Sequence, residues 1–253
     1  MSTLEGTVAL VTGASSGIGE ATARRLAADG AAVALVARRA DRLNALAKEL
    51  DGPGHRTLVI PADITEEAQA RAAVEQTVAE LGRLDTLVNN AGMMLLGPAV
   101  GAPIDEWQRM VEINVLGLLY CAHAGLPHLL AAATDGPRRV ADLVNVSSVA
   151  GRIARSGSGV YNLTKHGVGA LSESLRQEVT ARHVRVSLVE PGAVETELAG
   201  HNRPEIRDSI RRRFAEIERL QADDIADAVA YIVTRPRHVA VNELLIRPTE
   251  QEG

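Results

Sequence analysis

The sequence predicts an α/β domain: a doubly wound, parallel seven-stranded sheet with helices on both faces. Three observations predict it. Short apolar runs alternate with longer amphipathic segments from end to end, the rhythm of strand–helix–strand units. The short runs are continuously apolar, as strands covered on both faces must be. The length, 253 residues, suits one such domain and would squeeze two. No internal repeat, low-complexity tract or linker divides it, so residues 1–253 are read as one unit.

The elements follow in order. Residues 8–11 (Val-Ala-Leu-Val) are the first buried strand, and 18–29 a helix stopped at Gly30. A second strand spans 33–37 and a helix 39–50. A third strand covers 57–60, then a helix over 66–81 with Thr65 as its N-cap. Residues 86–88 are the fourth strand, and 104–130 are mostly helical. The fifth strand is 140–146, a long helix runs over 160–182, and the sixth strand is 184–189. Helices over 204–220 and 223–233 precede a last strand at 243–246.

Composition narrows the function. Hydrophobic residues make up 46%, enough for a large core, but aromatics only 2%. Stacking platforms for single-stranded nucleic acid are excluded on that count. The net charge of −5 gives no basic field for a phosphate backbone. Cys121 is the one cysteine. It permits no intramolecular disulfide and no cysteine-rich zinc site, and reads as a small buried apolar side chain. The seven histidines show no metal-ligand pattern, so no metal is expected. The amino terminus lacks the charged start and apolar run of a signal peptide. No uninterrupted apolar stretch reaches membrane-span length. A cytoplasmic, reducing setting is the expectation.

The first strand runs into Thr12-Gly-Ala-Ser-Ser-Gly-Ile-Gly19. Gly13, Gly17 and Gly19 allow a tight turn, backbone approach to a pyrophosphate and close helix–strand contact. The following helix turns free N–H groups and a positive dipole end toward the phosphates. Between a first strand and a first helix, this turn predicts a Rossmann dinucleotide site. At the tip of the second strand an acidic residue would bind the ribose 2′-OH of NAD. The sequence has Ala37-Arg-Arg39 there, and Asp41 comes too late. Two guanidiniums suit the 2′-phosphate of NADP; alternatively both are solvated residues at a helix start.

Tyr161 and Lys165 stand four residues apart, one turn apart on one face of the long helix. A free phenol titrates near pH ~10. A neighbouring ammonium favours phenolate and lowers that value, which predicts a tyrosine exchanging protons near neutral pH.

With these residues in place, the chain resembles the short-chain dehydrogenase/reductase family over nearly its whole length. The motifs fall in family order: the turn at 12–19, Asp63-Ile64 after the third strand, Asn89-Asn-Ala-Gly92 after the fourth, Asn114, Ser148, Tyr161 with Lys165, and Pro191-Gly192 after the sixth. Within the family it is similar to bacterial NADP-dependent reductases related to clavulanic acid dehydrogenase and to the 3-hydroxy acid dehydrogenases. Residues 94–98, 175–179 and 243–249 carry that likeness.

The resemblance implies a catalytic tetrad. Ser148 would hydrogen bond to the substrate carbonyl oxygen. Tyr161 would give that oxygen its proton in reduction or take it in oxidation. Lys165 would lower the tyrosine pKa and hold the nicotinamide ribose. Asn114 would hold a water linking Lys165 to solvent. Ser148 lies 13 residues before Tyr161, the family spacing, which selects it over Ser147. For NADP(H), the resemblance implies Gly13, Ser15, Ser16, Gly17, Ile18 and Gly19 at the pyrophosphate and Asp63 with Ile64 at the adenine. It implies Asn90, Ala91 and Gly92 along the adenosine ribose and cofactor backbone, and Pro191, Gly192, Val194 and Thr196 at the nicotinamide. Ser16 is not basic, so Arg38 and Arg39 carry the 2′-phosphate.

The family's substrate lid corresponds to residues 195–220, with Arg203, Arg207, Arg211, Arg212 and Arg213. One of these meets an acidic substrate, or all face solvent. Met93, Met94, Val149, Ile153, Ala154, Ser156, Glu190, Leu198 and His201 are the expected pocket wall. The helices 104–130 and 160–182 imply a homotetramer. The activity implied is an NADPH-dependent carbonyl reductase running in reverse as an alcohol dehydrogenase. The alternatives are an NAD-linked dehydrogenase of a hydroxy acid or secondary alcohol, and a catalytically silent NADP-binding regulator. An extended-type epimerase or dehydratase would need a larger C-terminal substrate domain.

Overall fold

The computed structural model describes residues 3–52 and 56–252. Seven parallel strands are ordered β3-β2-β1-β4-β5-β6-β7. They are β1 (Val8–Thr12), β2 (Ala32–Ala37), β3 (Thr57–Pro61), β4 (Thr86–Asn89), β5 (Ala141–Val146), β6 (Val184–Pro191) and β7 (Glu243–Ile246). The helices are α1 (Gly17–Ala28), α2 (Ala40–Leu50), α3 (Glu67–Leu81), α4 (Ile104–Val111), α5 (Leu118–Asp135), α6 (Gly159–Val179), α7 (Pro204–Arg213) and α8 (Ala222–Val233). All seven expected strands are present. Pro61 closes β3, an edge strand, where a missing N–H breaks no ladder.

Neighbouring strand residues serve opposite layers. Leu10, Val36, Leu87 and Leu143 join Val74, Cys121 and Leu129 of α3 and α5 in one core. Val11, Leu35, Val88 and Val144 join Leu26, Leu43, Ile225 and Val229 of α1, α2 and α8 in the other. Side chains alternate faces along a strand, so continuous apolar runs are the pattern that fills both layers. Burial drives the Cys121 thiol up to about 12; it is a packing residue and not a nucleophile.

Several boundaries differ from the sequence reading. Thr65 does not cap α3. Its hydroxyl donates to Asp63 Oδ1 at 2.8 Å, a local turn that outcompetes the cap, and Glu66 takes the N-cap position. The helix expected to reach 220 stops at Arg213. Beyond it Leu220 is captured beside Val194, donating to Ala193 O at 3.0 Å while Glu195 N donates to Leu220 O at 2.8 Å. The helical run Ile104–Asp135 is long and apolar enough, by length and composition alone, to cross a membrane, although no stretch of it is uninterruptedly apolar over that length. Its apolar content has another use here, because Cys121, Ala122, Leu129, Ala132 and Ala133 pack in the sheet core. Between α4 and α5 this run carries a π-helical turn, Glu112–Gly117.

Candidate active site

The strand order reverses between β1 and β4, and open parallel sheets bind ligands at the carboxyl ends of the strands beside such a switch point. A cleft of about 510 Å³ opens there. Thr12 pins its floor. The Thr12 hydroxyl accepts from Asn90 N at 3.0 Å and Ala91 N at 3.1 Å, and Asn90 Nδ2 donates to Thr12 O at 3.0 Å. The loops after β1 and β4 therefore form one surface.

The glycine turn fits against this surface. Gly13 has φ +68°, and a Cβ there would lie 2.9 Å from Ala91 Cα, so glycine is required on both counts. A Cβ at Gly19 would lie 2.3 Å from Gly13 O. Gly19 is buried behind the cleft lining as a close-packing residue of the same turn. Gly13, Ser15, Ser16, Gly17 and Ile18 line the cleft, at the N-terminus of α1, where unpaired N–H groups favour an anion. This cradle suits a dinucleotide pyrophosphate. Asp63, Ile64, Asn90, Ala91, Gly92, Pro191, Gly192, Val194 and Thr196 line the same cleft.

The two strand-tip arginines behave differently. Arg38 is 68% exposed and lies 3.8 Å from Asp63. Arg39 lies across the glycine turn, its Nε 3.1 Å from Ser15 Oγ and its Nη2 2.7 Å from Ser16 Oγ. Its Nη1 is 2.9 Å from Glu197 Oε2, while Glu197 Oε1 is 2.7 Å from Arg42 Nη1. These two guanidiniums hold the Glu197 carboxyl down at about 2.

At the other end of the cleft, α6 presents Tyr161 and Lys165. The Lys165 ammonium donates to Val146 O at 2.9 Å and lies 5.9 Å from the Tyr161 ring centre. Ser147 Oγ donates to Lys165 O at 3.1 Å, which fixes α6 to the end of β5. A Cβ at Gly151 would lie 2.8 Å from that Ser147 oxygen, so the loop after β5 packs directly on α6. Ser148 caps the short helical turn Val149–Gly151 by accepting from Ala150 N at 3.1 Å. Its Oγ stands 3.5 Å from Pro191 O.

Burial pushes the Tyr161 phenol above its ordinary value, and a hydrogen bond with Ser148 offsets part of that rise. The expectation that Lys165 lowers it does not hold in this arrangement. The ammonium is turned to the Val146 carbonyl, and burial drives Lys165 itself down to about 8.

Asn114 sits in the π turn behind the cleft wall. Its Oδ1 accepts from Met93 N at 2.7 Å, and its Nδ2 donates to Met93 O at 2.8 Å and to Thr164 Oγ1 at 3.2 Å. A Cβ at Gly92 would lie 3.3 Å from Asn114 Oδ1 and 3.8 Å from Lys165 Nζ. The Gly92 backbone, Asn114 and Lys165 thus converge.

Met93, Met94, Val149, Ile153, Leu198 and His201 line the cleft as expected. Glu190 does not. It is 1% exposed and bound by Arg152, with Nε at 2.7 Å and Nη2 at 2.6 Å, a structural pair that occupies both carboxylate oxygens. Ala154 and Ser156 are exposed outside the lining. Of the lid arginines, Arg213 lines the cleft beside Phe214, whereas Arg203 pairs with Glu106 at 3.1 Å and Arg211 with Asp208 at 3.1 Å. Burial and the positive field of Arg109 and Arg39 lower the His201 pKa.

The lid is pinned by residues the motifs did not flag. Asn202 Oδ1 accepts from Leu96 N at 2.7 Å, and its Nδ2 donates to Met94 O at 2.9 Å. Gln251 Oε1 accepts from Ala193 N at 2.8 Å. Only side-chain reach across the cleft reveals Glu197, Asn202 and Gln251, because no local spacing marks them.

The short chain dehydrogenase family profile matches residues 7–207. A Staphylococcus epidermidis protein described as an uncharacterized oxidoreductase is 36% identical over 241 residues, covering 95% of this chain and 96% of its own. The closed form of a serine dehydrogenase complexed with NADP+ superposes with a TM-score of 0.86 at 31% identity, covering 98% of this chain and 97% of that one. A 3-ketoacyl-(acyl-carrier-protein) reductase from Brucella melitensis, complexed with NADH, gives a TM-score of 0.83 at 34% identity, covering 96% and 98%.

Proposed function

The chain belongs to the short-chain dehydrogenase/reductase family, and from that premise we propose that it is an NADPH-dependent carbonyl reductase acting on aldehydes or ketones, and in reverse an alcohol dehydrogenase. One observation carries the reading: a single cleft joins the glycine turn and Arg39 at one end to Ser148 and Tyr161 at the other. When bound, the nicotinamide cofactor supplies the hydride.

The residues supply binding, orientation and the proton. The Gly13–Gly17 turn and the N-terminus of α1 would hold the pyrophosphate, and Arg39 with Arg38 the 2′-phosphate. The Ser148 hydroxyl would donate to the substrate carbonyl oxygen. Tyr161 would pass its phenolic proton to the same oxygen in reduction and recover it in oxidation. Burial keeps that proton on the phenol at neutral pH, which suits an acid, and a positioned acid contributes about 10²–10⁴-fold. Lys165, titrating at about 8, would hold the nicotinamide ribose and resupply the proton. Asn114 Oδ1 spends one lone pair on Met93 and keeps a second; we assign it the water that links Lys165 to solvent. The apolar wall of Met93, Met94, Val149, Ile153 and Leu198 excludes water from the reacting carbonyl.

The test is an initial-rate panel of aldehydes, β-keto acids and ketones, clavulanate aldehyde included, with NADPH and NADH compared by kcat/KM. We expect NADPH to be preferred; a preference for NADH overturns the reading. The NAD-linked alternative has one observation in its favour, the engagement of Arg39 by Glu197. We assign a homotetramer built on the helices 104–130 and 160–182, supported by exposed Leu163 on α6. Sedimentation as a monomer at micromolar concentration refutes it. A cytoplasmic location is compatible with one buried cysteine.

A further inference from the structure

Arg39 has no idle nitrogen. Nε and Nη2 are taken by Ser15 and Ser16, and Nη1 by Glu197. Glu197 opens the short helical turn Glu197–His201 on the lid side of the cleft. Its two oxygens bridge Arg39 at 2.9 Å and Arg42 at 2.7 Å. A carboxylate shared by two guanidiniums occupies the position a phosphate would take between them. The carboxyl stays ionised across any working pH, because the two arginines hold it at about 2.

We propose that Glu197 is an internal competitor for the 2′-phosphate and sets the selectivity between NADP and NAD. The proposal rests on the reading of Arg39 as the 2′-phosphate anchor. A 2′-phosphate reaching Arg39 takes the second Nη1 N–H or displaces Glu197 from the first, and either way its charge meets the Glu197 carboxylate nearby. A cofactor bearing only the 2′-hydroxyl brings no such charge. Glu197 therefore weakens NADP selectively. Once displaced, it keeps Arg42, so the lid stays joined to α2 through one ion pair where there were two. All three side chains are about half exposed, so the effect is that of a solvent-screened pair and its repulsive counterpart, about three- to tenfold in affinity.

Calorimetric titration of NADP+ and NAD+ into wild type, Glu197→Gln and Arg39→Gln tests this without turnover. Glu197→Gln should bind NADP+ about three- to tenfold more tightly with NAD+ unchanged. Unchanged or weaker NADP+ binding by Glu197→Gln overturns the proposal, as does equal tightening for both cofactors. Arg39→Gln separates this failure from that of the anchor reading: if it costs no NADP+ affinity, Arg39 is not the anchor and the inference falls with it. If Glu197→Gln does not fold, Glu197→Asp shortens the reach to Arg39 and must shift NADP+ binding in the same direction; no shift overturns the proposal.

Discussion

The two walls of the cleft are built differently. The phosphate wall is backbone against backbone. Gly13 packs on Ala91, Gly19 on the Gly13 carbonyl, and Thr12 closes both loops. The lid wall is held by side chains reaching across open space, with Glu197 on Arg39 and Arg42, Asn202 on the 94–96 loop, and Arg203 on Glu106. A wall without slack presents a fixed shape to every ligand. The exposed pairs of Glu197 with Arg39 and Arg42, each worth about 0.2–1 kcal/mol, exchange at small cost. Binding the common part of a cofactor suits the first, and admitting a variable substrate suits the second.

The comparison is broken most severely where chemistry meets the rigid wall. Tyr161→Phe should lower kcat by about 10²–10⁴-fold with cofactor affinity by calorimetry nearly unchanged; activity close to wild type would remove Tyr161 from the proton step. Gly13→Ala places a Cβ 2.9 Å from Ala91 Cα at φ +68°. Thermal unfolding should show a loss of about 1–3 kcal/mol, with cofactor binding abolished. On the lid wall, Asn202→Ala should raise KM severalfold and leave kcat and cofactor affinity within about twofold, since the two hydrogen bonds to the 94–96 loop and one to Ala199 O, about 1 kcal/mol each, are lost. An equal loss in cofactor affinity would show that the two walls are one mechanical unit.

The smallest effect is in pH. Lys165 titrates in the folded state at about 8, below its ordinary 10.5. Between those values the unfolded chain binds more protons, so stability rises with pH across that window. The burial cost is fully present below pH 8 and fades toward 10.5. Denaturant melts of wild type against Lys165→Met should show wild type gaining on the variant from pH 8 to 10. A constant difference would mean that Lys165 is solvated.

The same asymmetry governs what the sequence discloses. The strands, the glycine turn and the Tyr161–Lys165 spacing are legible because backbone geometry ties residue type to position. Gly19 reads correctly as an obligatory glycine, since spacing encodes tight packing. Glu190 is misread because its neighbour Arg152 is 38 residues away, and nothing local announces a pair. Glu197 and Asn202 escape for the same reason. The lowered Tyr161 pKa fails because helical spacing places the ammonium on the right face without choosing its acceptor, and the Val146 carbonyl takes it.

The π turn Glu112–Gly117 acts as a phase shifter. Each residue of an α-helix advances the azimuth by about 100°, so one straight helix would present a single continuous stripe. The widened turn resets that angle midway. Met110 before it packs with Leu95 and Tyr161, while Cys121 and Leu129 after it pack on the sheet. Deleting one of these six residues would let the turn close with both faces kept, whereas winding the same six at ordinary pitch would swing one half of the helix by about 100° relative to the other. Either the catalytic wall or the sheet would then lose its apolar partner. An insertion that looks like a local irregularity is thus what lets one helix answer to two cores.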